Sequence, residues 1–89
     1  MIASDALKKA ARLVDGERQA DYGKPEDNFR RIADFWSIYL NWRISPKDVA
    51  FMMGLLKVAR CAHAIKEDSI IDAAAYIALA GQISDSCRD

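Results

Sequence analysis

The sequence predicts an all-α fold, an up-and-down bundle of four helices in a single domain over residues 1–89. Apolar residues recur three and four positions apart along most of the chain, the spacing of one helix face, and nowhere alternate as in an amphipathic strand. Only two prolines and four glycines interrupt this pattern. With 89 residues, 52% of them apolar, the chain can build one core but rarely two.

The first half of the chain predicts two helices. One covers about residues 5–21, with Ser4 suited to cap its N-terminus. The next covers about residues 25–39, where Pro25 suits a first helical turn and the acidic residues after it complement the helix dipole. Between them, Gly23 can adopt the positive φ that ends a helix.

The second half predicts a third helix over about residues 46–65 and a fourth over about 69–84. The Ser-Pro-Lys-Asp sequence at 45–48 is a strong start signal, and Asp68 is suited to cap the fourth helix. Both helices are apolar on nearly every side, as helices enclosed by others are. Since a lone four-helix domain would leave each helix a polar outer face, we predict a homo-oligomer formed through the third and fourth helices.

Charge and cysteine content exclude several classes of protein. Thirteen basic residues balance thirteen acidic ones, which argues against bulk nucleic-acid binding and against a membrane-surface role. Cys61 and Cys87 are too few for a disulfide framework or a four-thiolate zinc site, and we expect them to stay reduced in a cytoplasm.

The two apolar helices nevertheless keep polar side chains. On the third helix, Lys57, Arg60 and His63 lie within an arc of about 120°, because residues three apart nearly share a helix face. The polar residues of the fourth helix, spaced by four, are Asp68, Asp72 and Tyr76.

An antiparallel helix pair would bring these two sets together. His63 would lie near Asp68, and the two cations would lie within reach of Asp72 and Tyr76. Lysine and arginine bind phosphate oxygens, so the cluster predicts a phosphate site. The two aspartates are candidate ligands for Mg²⁺, although Mg²⁺ prefers more oxygen ligands than they offer. An alternative interpretation is a buried ion-pair network that sets helix register without chemistry.

A second group of polar residues surrounds the first turn. Arg18 and Lys24 would meet an anion near the start of the second helix, whose free N–H groups favour negative charge. Tyr22 and Asn28 lie in the same short stretch. The alternative is an ordinary turn with a packed tyrosine.

Two longer motifs cover the chain from about Glu17 to Leu79. The first is Arg18-x-x-x-Tyr22-Gly23-x-Pro25, followed by Asn28-Phe29, Ile32-Ala33 and Trp36. The second is Asp48-Val49-Ala50, Met53, Leu56-Lys57-x-x-Arg60 and Asp68-x-x-x-Asp72-x-x-x-Tyr76. Together they resemble a family of small phage and prophage proteins described as a domain of unknown function.

That family is in turn similar to the all-α nucleoside triphosphate pyrophosphatases of the MazG and dimeric dUTPase class. The resemblance implies a helical oligomer that binds Mg²⁺ through acidic motifs on two successive helices and hydrolyses nucleotides to monophosphate and pyrophosphate. Asp72 and Tyr76 match the second motif. Gly54, Lys57 and Arg60 stand where those enzymes place their first glutamates, so the metal-binding half of the pattern is altered.

We therefore expect a phage-type accessory protein in the cytoplasm of an infected or lysogenic bacterial host. It would bind a nucleotide or nucleotide-like phosphate ligand and sequester a host nucleotide signal without turnover, an anti-defence role. One alternative is a Mg²⁺-dependent nucleoside triphosphate pyrophosphohydrolase, and another is a host-protein-binding inhibitor with a purely structural ion-pair core. The candidate ligand-binding residues are Lys57, Arg60, His63, Asp72, Tyr76, Arg18, Tyr22 and Asn28, and the candidate metal ligands are Asp68 and Asp72.

Overall fold

The computed structural model describes residues 1–17 and 19–83. Its four long helices are α1 (Ala3–Arg12), α2 (Pro25–Leu40), α3 (Pro46–Arg60) and α4 (Glu67–Gln82). A π-helical turn, Leu13–Glu17, and a short helix, Gln19–Tyr22, connect α1 to α2. The described residues contain no strand, which confirms the all-α prediction with four main helices. Over the same residues, no helix has both the length and the hydropathy needed to span a membrane.

The first helix is shorter than the sequence pattern predicts. Regular helix ends at Arg12, and Gly16 then takes a φ of 108°, a conformation that glycine adopts without steric cost. This residue breaks the predicted helix over residues 5–21 into separate segments. The prediction of Ser4 as N-cap is also wrong, because α1 already begins at Ala3 and Ile2 occupies the cap position without a side-chain bond.

The turn into α2 and the start of α3 follow their local sequence signals. Gly23 adopts the predicted positive φ, 76°, immediately before α2. At the start of α3, the Ser45 hydroxyl accepts a hydrogen bond from the Asp48 N–H at 3.0 Å, and Asp48 Oδ2 accepts one from the Ser45 N–H at 3.0 Å. The predicted helix start at residues 45–48 is therefore confirmed as a capping box.

The connection between α3 and α4 differs from the prediction. Helix α3 ends at Arg60, five residues before the predicted end at 65, and a turn follows at residues 61–63. Helix α4 begins at Glu67, so Asp68 lies inside its first turn and Lys66 occupies the cap position. The prediction of Asp68 as a cap is wrong because the helix starts two residues earlier than its sequence pattern indicates.

Helices α3 and α4 form the most extensive helix–helix contact. Lys57 of α3 pairs with Asp72 of α4. Gly54, which precedes Lys57 on α3, faces Ile77, which follows Asp72 on α4. The two helices therefore run antiparallel, as predicted. The largest core cluster joins α2, α3 and the end of α4, and its buried members include Phe29, Ala33, Val49, Ala50, Leu79 and Ala80.

Helix α1 covers the other side of α4. Ala6 and Ala10 of α1 pack with Ile71 and Ala75 of α4 in a second buried cluster. Small side chains on both helices allow their backbones to approach closely. Helix α4 is thus contacted within the chain by α3 and by α1, while Ile77 on α4 remains 43% exposed.

Candidate functional site

A cavity of about 240 Å³ opens where the end of α1, the turn at Gly23, the start of α2 and the middles of α3 and α4 meet. A single water molecule needs only about 10–15 Å³ of such space, so the cavity has room for a small organic molecule. Its lining combines apolar side chains with a few polar groups, a combination typical of ligand-binding clefts.

An ion pair forms the charged part of the lining. Lys57 Nζ on α3 lies 2.9 Å from Asp72 Oδ2 on α4, and the two side chains are only 15% and 13% exposed. The antiparallel packing of α3 on α4 creates this pair. A lysine ammonium carries three N–H donors, so Lys57 can bind a ligand oxygen while it remains bonded to Asp72.

Two further polar side chains and an aromatic pair complete the lining. Asn28 of α2 and Tyr76 of α4 are both partly buried and line the cavity. The ring of Tyr76 packs on buried Phe29, with 5.9 Å between ring centroids at an interplanar angle of 48°. Tyr22, largely exposed, lines the same cavity. These groups offer hydrogen bonds and ring surfaces to a ligand.

The cavity unites the two polar groups that the sequence analysis treats separately. Five of the predicted residues line it: Lys57, Asp72, Tyr76, Tyr22 and Asn28. The predicted first helix breaks at Gly16, and Gly16 itself lines the cavity. Sequence reasoning missed Gly16, although a glycine inside a helical pattern is the signal that could have identified it.

Two predicted residues are not brought to this cavity. Arg60 and His63 are exposed and do not line it. His63 leaves the predicted stripe because α3 ends at Arg60 and residue 63 belongs to the following turn. Arg18 lies outside the described residues.

The predicted metal ligands lie at a second depression, of about 310 Å³. Asp68 and Asp72 line it together with Glu17 and the basic residues Lys9 and Arg12. Among residues 1–17 and 19–83, no three histidine, cysteine, aspartate or glutamate side chains form a group that could hold a metal ion. Asp68 and Asp72 could thus contribute only the one or two carboxylates with which Mg²⁺ is usually bound together with waters and substrate phosphates.

Gly54 marks a close contact between α3 and α4. It is buried against α4, and a Cβ atom built on it would lie 2.6 Å from Ile77 Cδ1. A larger side chain at position 54 would require the end of the Ile77 side chain to move. A glycine in the middle of a helix costs about 1 kcal/mol relative to alanine, and here it permits the close contact between α3 and α4.

Comparison with known proteins places this chain in a family. The family described as "Domain of unknown function (DUF6378)" matches residues 5–84, and the chain belongs to it. No solved structure matches the chain.

Two curated relatives come from mycobacteriophages, as the resemblance to phage proteins predicts. The "Gene 55 protein" of Mycobacterium phage D29 is 42% identical over 76 residues, which cover 84% of this chain and 50% of that protein. The "Gene 55 protein" of Mycobacterium phage L5 is 39% identical over 72 residues, or 79% of this chain and 46% of that protein. The chain thus spans about half the length of these relatives.

Proposed function

We propose that this protein is a phage accessory protein that binds a nucleotide or nucleotide-like phosphate ligand and holds it without turnover. The observation that carries the proposal is the Lys57–Asp72 pair, set in one cavity with Asn28, Tyr76 and Tyr22. In this proposal the protein acts as a homo-oligomer in the cytoplasm of the infected or lysogenic host, where it sequesters a host nucleotide signal.

Lys57 and the start of α2 are the groups that would bind phosphate. Lys57 supplies a positive charge in a largely buried position, where screening by solvent is weak. Gly23 and Pro25 place the first turn of α2 at the cavity wall, and no side chain at the cap position bonds its N–H groups. A helix N-terminus favours an anion through these N–H groups and the helix dipole.

The aromatic and amide groups would bind the nucleoside part. Tyr76, held by Phe29, and Tyr22 offer rings on which a base can stack, an interaction worth about 1–3 kcal/mol per base. Asn28 offers both a donor and an acceptor. Together these groups would distinguish a nucleotide from inorganic phosphate.

The MazG-like pyrophosphohydrolase remains the competing function. In that function Asp68 and Asp72 would hold Mg²⁺, which would supply Lewis-acid stabilisation of the substrate phosphates. We favour sequestration because Asp72, one of the two candidate metal ligands, is paired with Lys57. A structural ion pair in a host-protein-binding inhibitor is the third alternative, and it predicts no nucleotide binding.

A thermal-shift screen tests the proposal, since a ligand specific to the folded state raises the melting temperature. The panel contains nucleoside mono-, di- and triphosphates and cyclic dinucleotides, each with and without Mg²⁺. We expect at least one of them to stabilise the protein and to be recovered intact after denaturation. Pyrophosphate release that Asp72→Ala abolishes would establish the enzyme instead, and a panel without any stabilising nucleotide would refute nucleotide binding.

Lys57 and Arg60 provide a matched pair of cations on one helix. We expect Lys57→Gln to weaken binding of the best nucleotide by about 10–100-fold, because a hydrogen bond to a charged group contributes about 1.5–3 kcal/mol. Arg60→Gln removes an exposed charge outside the cavity and should change the Kd less than about twofold. Equal losses in both variants, measured by calorimetry, would contradict a site at this cavity.

A further inference from the structure

Large apolar side chains are exposed on two neighbouring helices and in the connection between them. They are Phe35, Ile38 and Tyr39 on α2, Trp42 in the connection, and Phe51, Leu55 and Val58 on α3, and together we name them the α2–α3 apolar surface. We infer that this α2–α3 apolar surface is the interface with a second copy of the chain. This inference rests on the homo-oligomer of the proposed function, but none of these seven residues lines the cavity, so loss of association and loss of nucleotide binding can be distinguished.

The spacing of these residues marks two stripes on neighbouring helices. Phe35, Ile38 and Tyr39 share a face of α2, while Phe29 and Ala33 point to the core. On α3, Phe51, Leu55 and Val58 follow the i, i+4, i+7 pattern on the side away from the buried residues. Helices α2 and α3 contact each other directly.

The exposed area approaches what a stable dimer buries. The four aromatic residues are between 43% and 88% exposed. Since an aromatic side chain has an area of about 150–250 Å², the four together present roughly 400–700 Å² of accessible surface to solvent. The three aliphatic residues, each more than half exposed, bring the surface to about the 800 Å² that each partner of a standard interface contributes. The largest apolar patch of a typical monomer measures only about 300–600 Å².

The charge distribution favours a second copy as the occupant. Residues 35–42 and 49–56 contain no charged side chain, so the surface can meet its own image across a two-fold axis without opposing like charges. The chain also has no net charge, so two copies do not repel each other overall. We assign the interface to α2 and α3 rather than to the predicted third and fourth helices, because α1 packs against α4 and the seven apolar residues lie on α2, on α3 and in the connection between them.

The test is the mass of the full chain in solution, measured by sedimentation equilibrium. At about 100 µM, where a dimer with a micromolar Kd is largely formed, we expect twice the 9.9 kDa of one chain. Tyr39→Glu and Leu55→Glu should each raise the dimer Kd at least about tenfold without loss of helix content, because both side chains are largely exposed within the chain.

Leu7→Glu is the matched control. Leu7 is 62% exposed on α1, close to the 64% of Leu55, but lies outside the α2–α3 apolar surface. We expect this variant to associate like the original chain. A mass of one chain at 100 µM, unchanged association of both Tyr39→Glu and Leu55→Glu, or equal dissociation of Leu7→Glu would each overturn the inference.

Discussion

Tyr76 has two separable roles in the cavity. Its ring packs on Phe29 and so belongs to the core, whereas its hydroxyl is free to serve the ligand in the proposed site. For the partly buried ion pair of Lys57 and Asp72, a structural role and a ligand-binding role are harder to separate by mutation, because one pair can serve both. Tyr76 therefore offers the cleaner test of a ligand-binding role for a single side chain.

Removing the Tyr76 hydroxyl separates these roles. We expect Tyr76→Phe to leave the melting temperature within a few degrees of the original value, because the ring contact is kept. The same change should weaken the best nucleotide of the panel by about 3–10-fold, because a neutral hydrogen bond contributes about 0.5–1.5 kcal/mol. Calorimetry measures the Kd. Tyr39→Phe, at an exposed tyrosine outside the cavity, should not change it, and an unchanged Kd for Tyr76→Phe would rule out a ligand bond to this hydroxyl.

At the scale of the helices, glycine positions distinguish a packed contact from an open surface. Gly54 lies where α3 touches α4, and Ile77 occupies the space that a side chain would need. A Cβ atom built on Gly81 in α4 would have no neighbouring atom within 4 Å. The same substitution should therefore have opposite effects at these two glycines.

We expect Gly54→Leu to lower the free energy of unfolding by about 1–3 kcal/mol, since overpacking forces helices or side chains apart. Gly81→Leu should raise it by up to about 1 kcal/mol, because leucine is the better helix former and meets no obstacle. Urea denaturation measures both changes. Equal effects of the two variants would contradict a close approach of α3 and α4 at Gly54.

Sequence reasoning works for these helices where the determinant is local. The capping box at Ser45 and Asp48 and the positive φ at Gly23 depend on a few adjacent residues, and both are predicted correctly. The early end of α3 at Arg60 is not predicted, because residues 61–65 contain no glycine or proline and the chain must turn there to pack α4 on α3. The displacement of His63 from the site follows from that turn.

At the scale of the whole molecule, the candidate site depends on contacts between distant segments. The Lys57–Asp72 pair could be predicted because it requires only one antiparallel helix pair. The convergence of Tyr22 and Asn28 on the same cavity could not, since it also requires the break at Gly16. The cavity and the α2–α3 apolar surface give the molecule two separate features, one suited to a small ligand and the other to a second chain.

The most direct test of the central claim is an NMR titration of the ¹⁵N-labelled protein with the nucleotide that stabilises it most. We expect the backbone amide signals of Gly23, Asn28 and Tyr76 to shift together with a single Kd, while those of Arg60 and His63 change little. If no nucleotide moves the first three signals, or if the shifts centre on Arg60 and His63, the cavity is not the ligand-binding site.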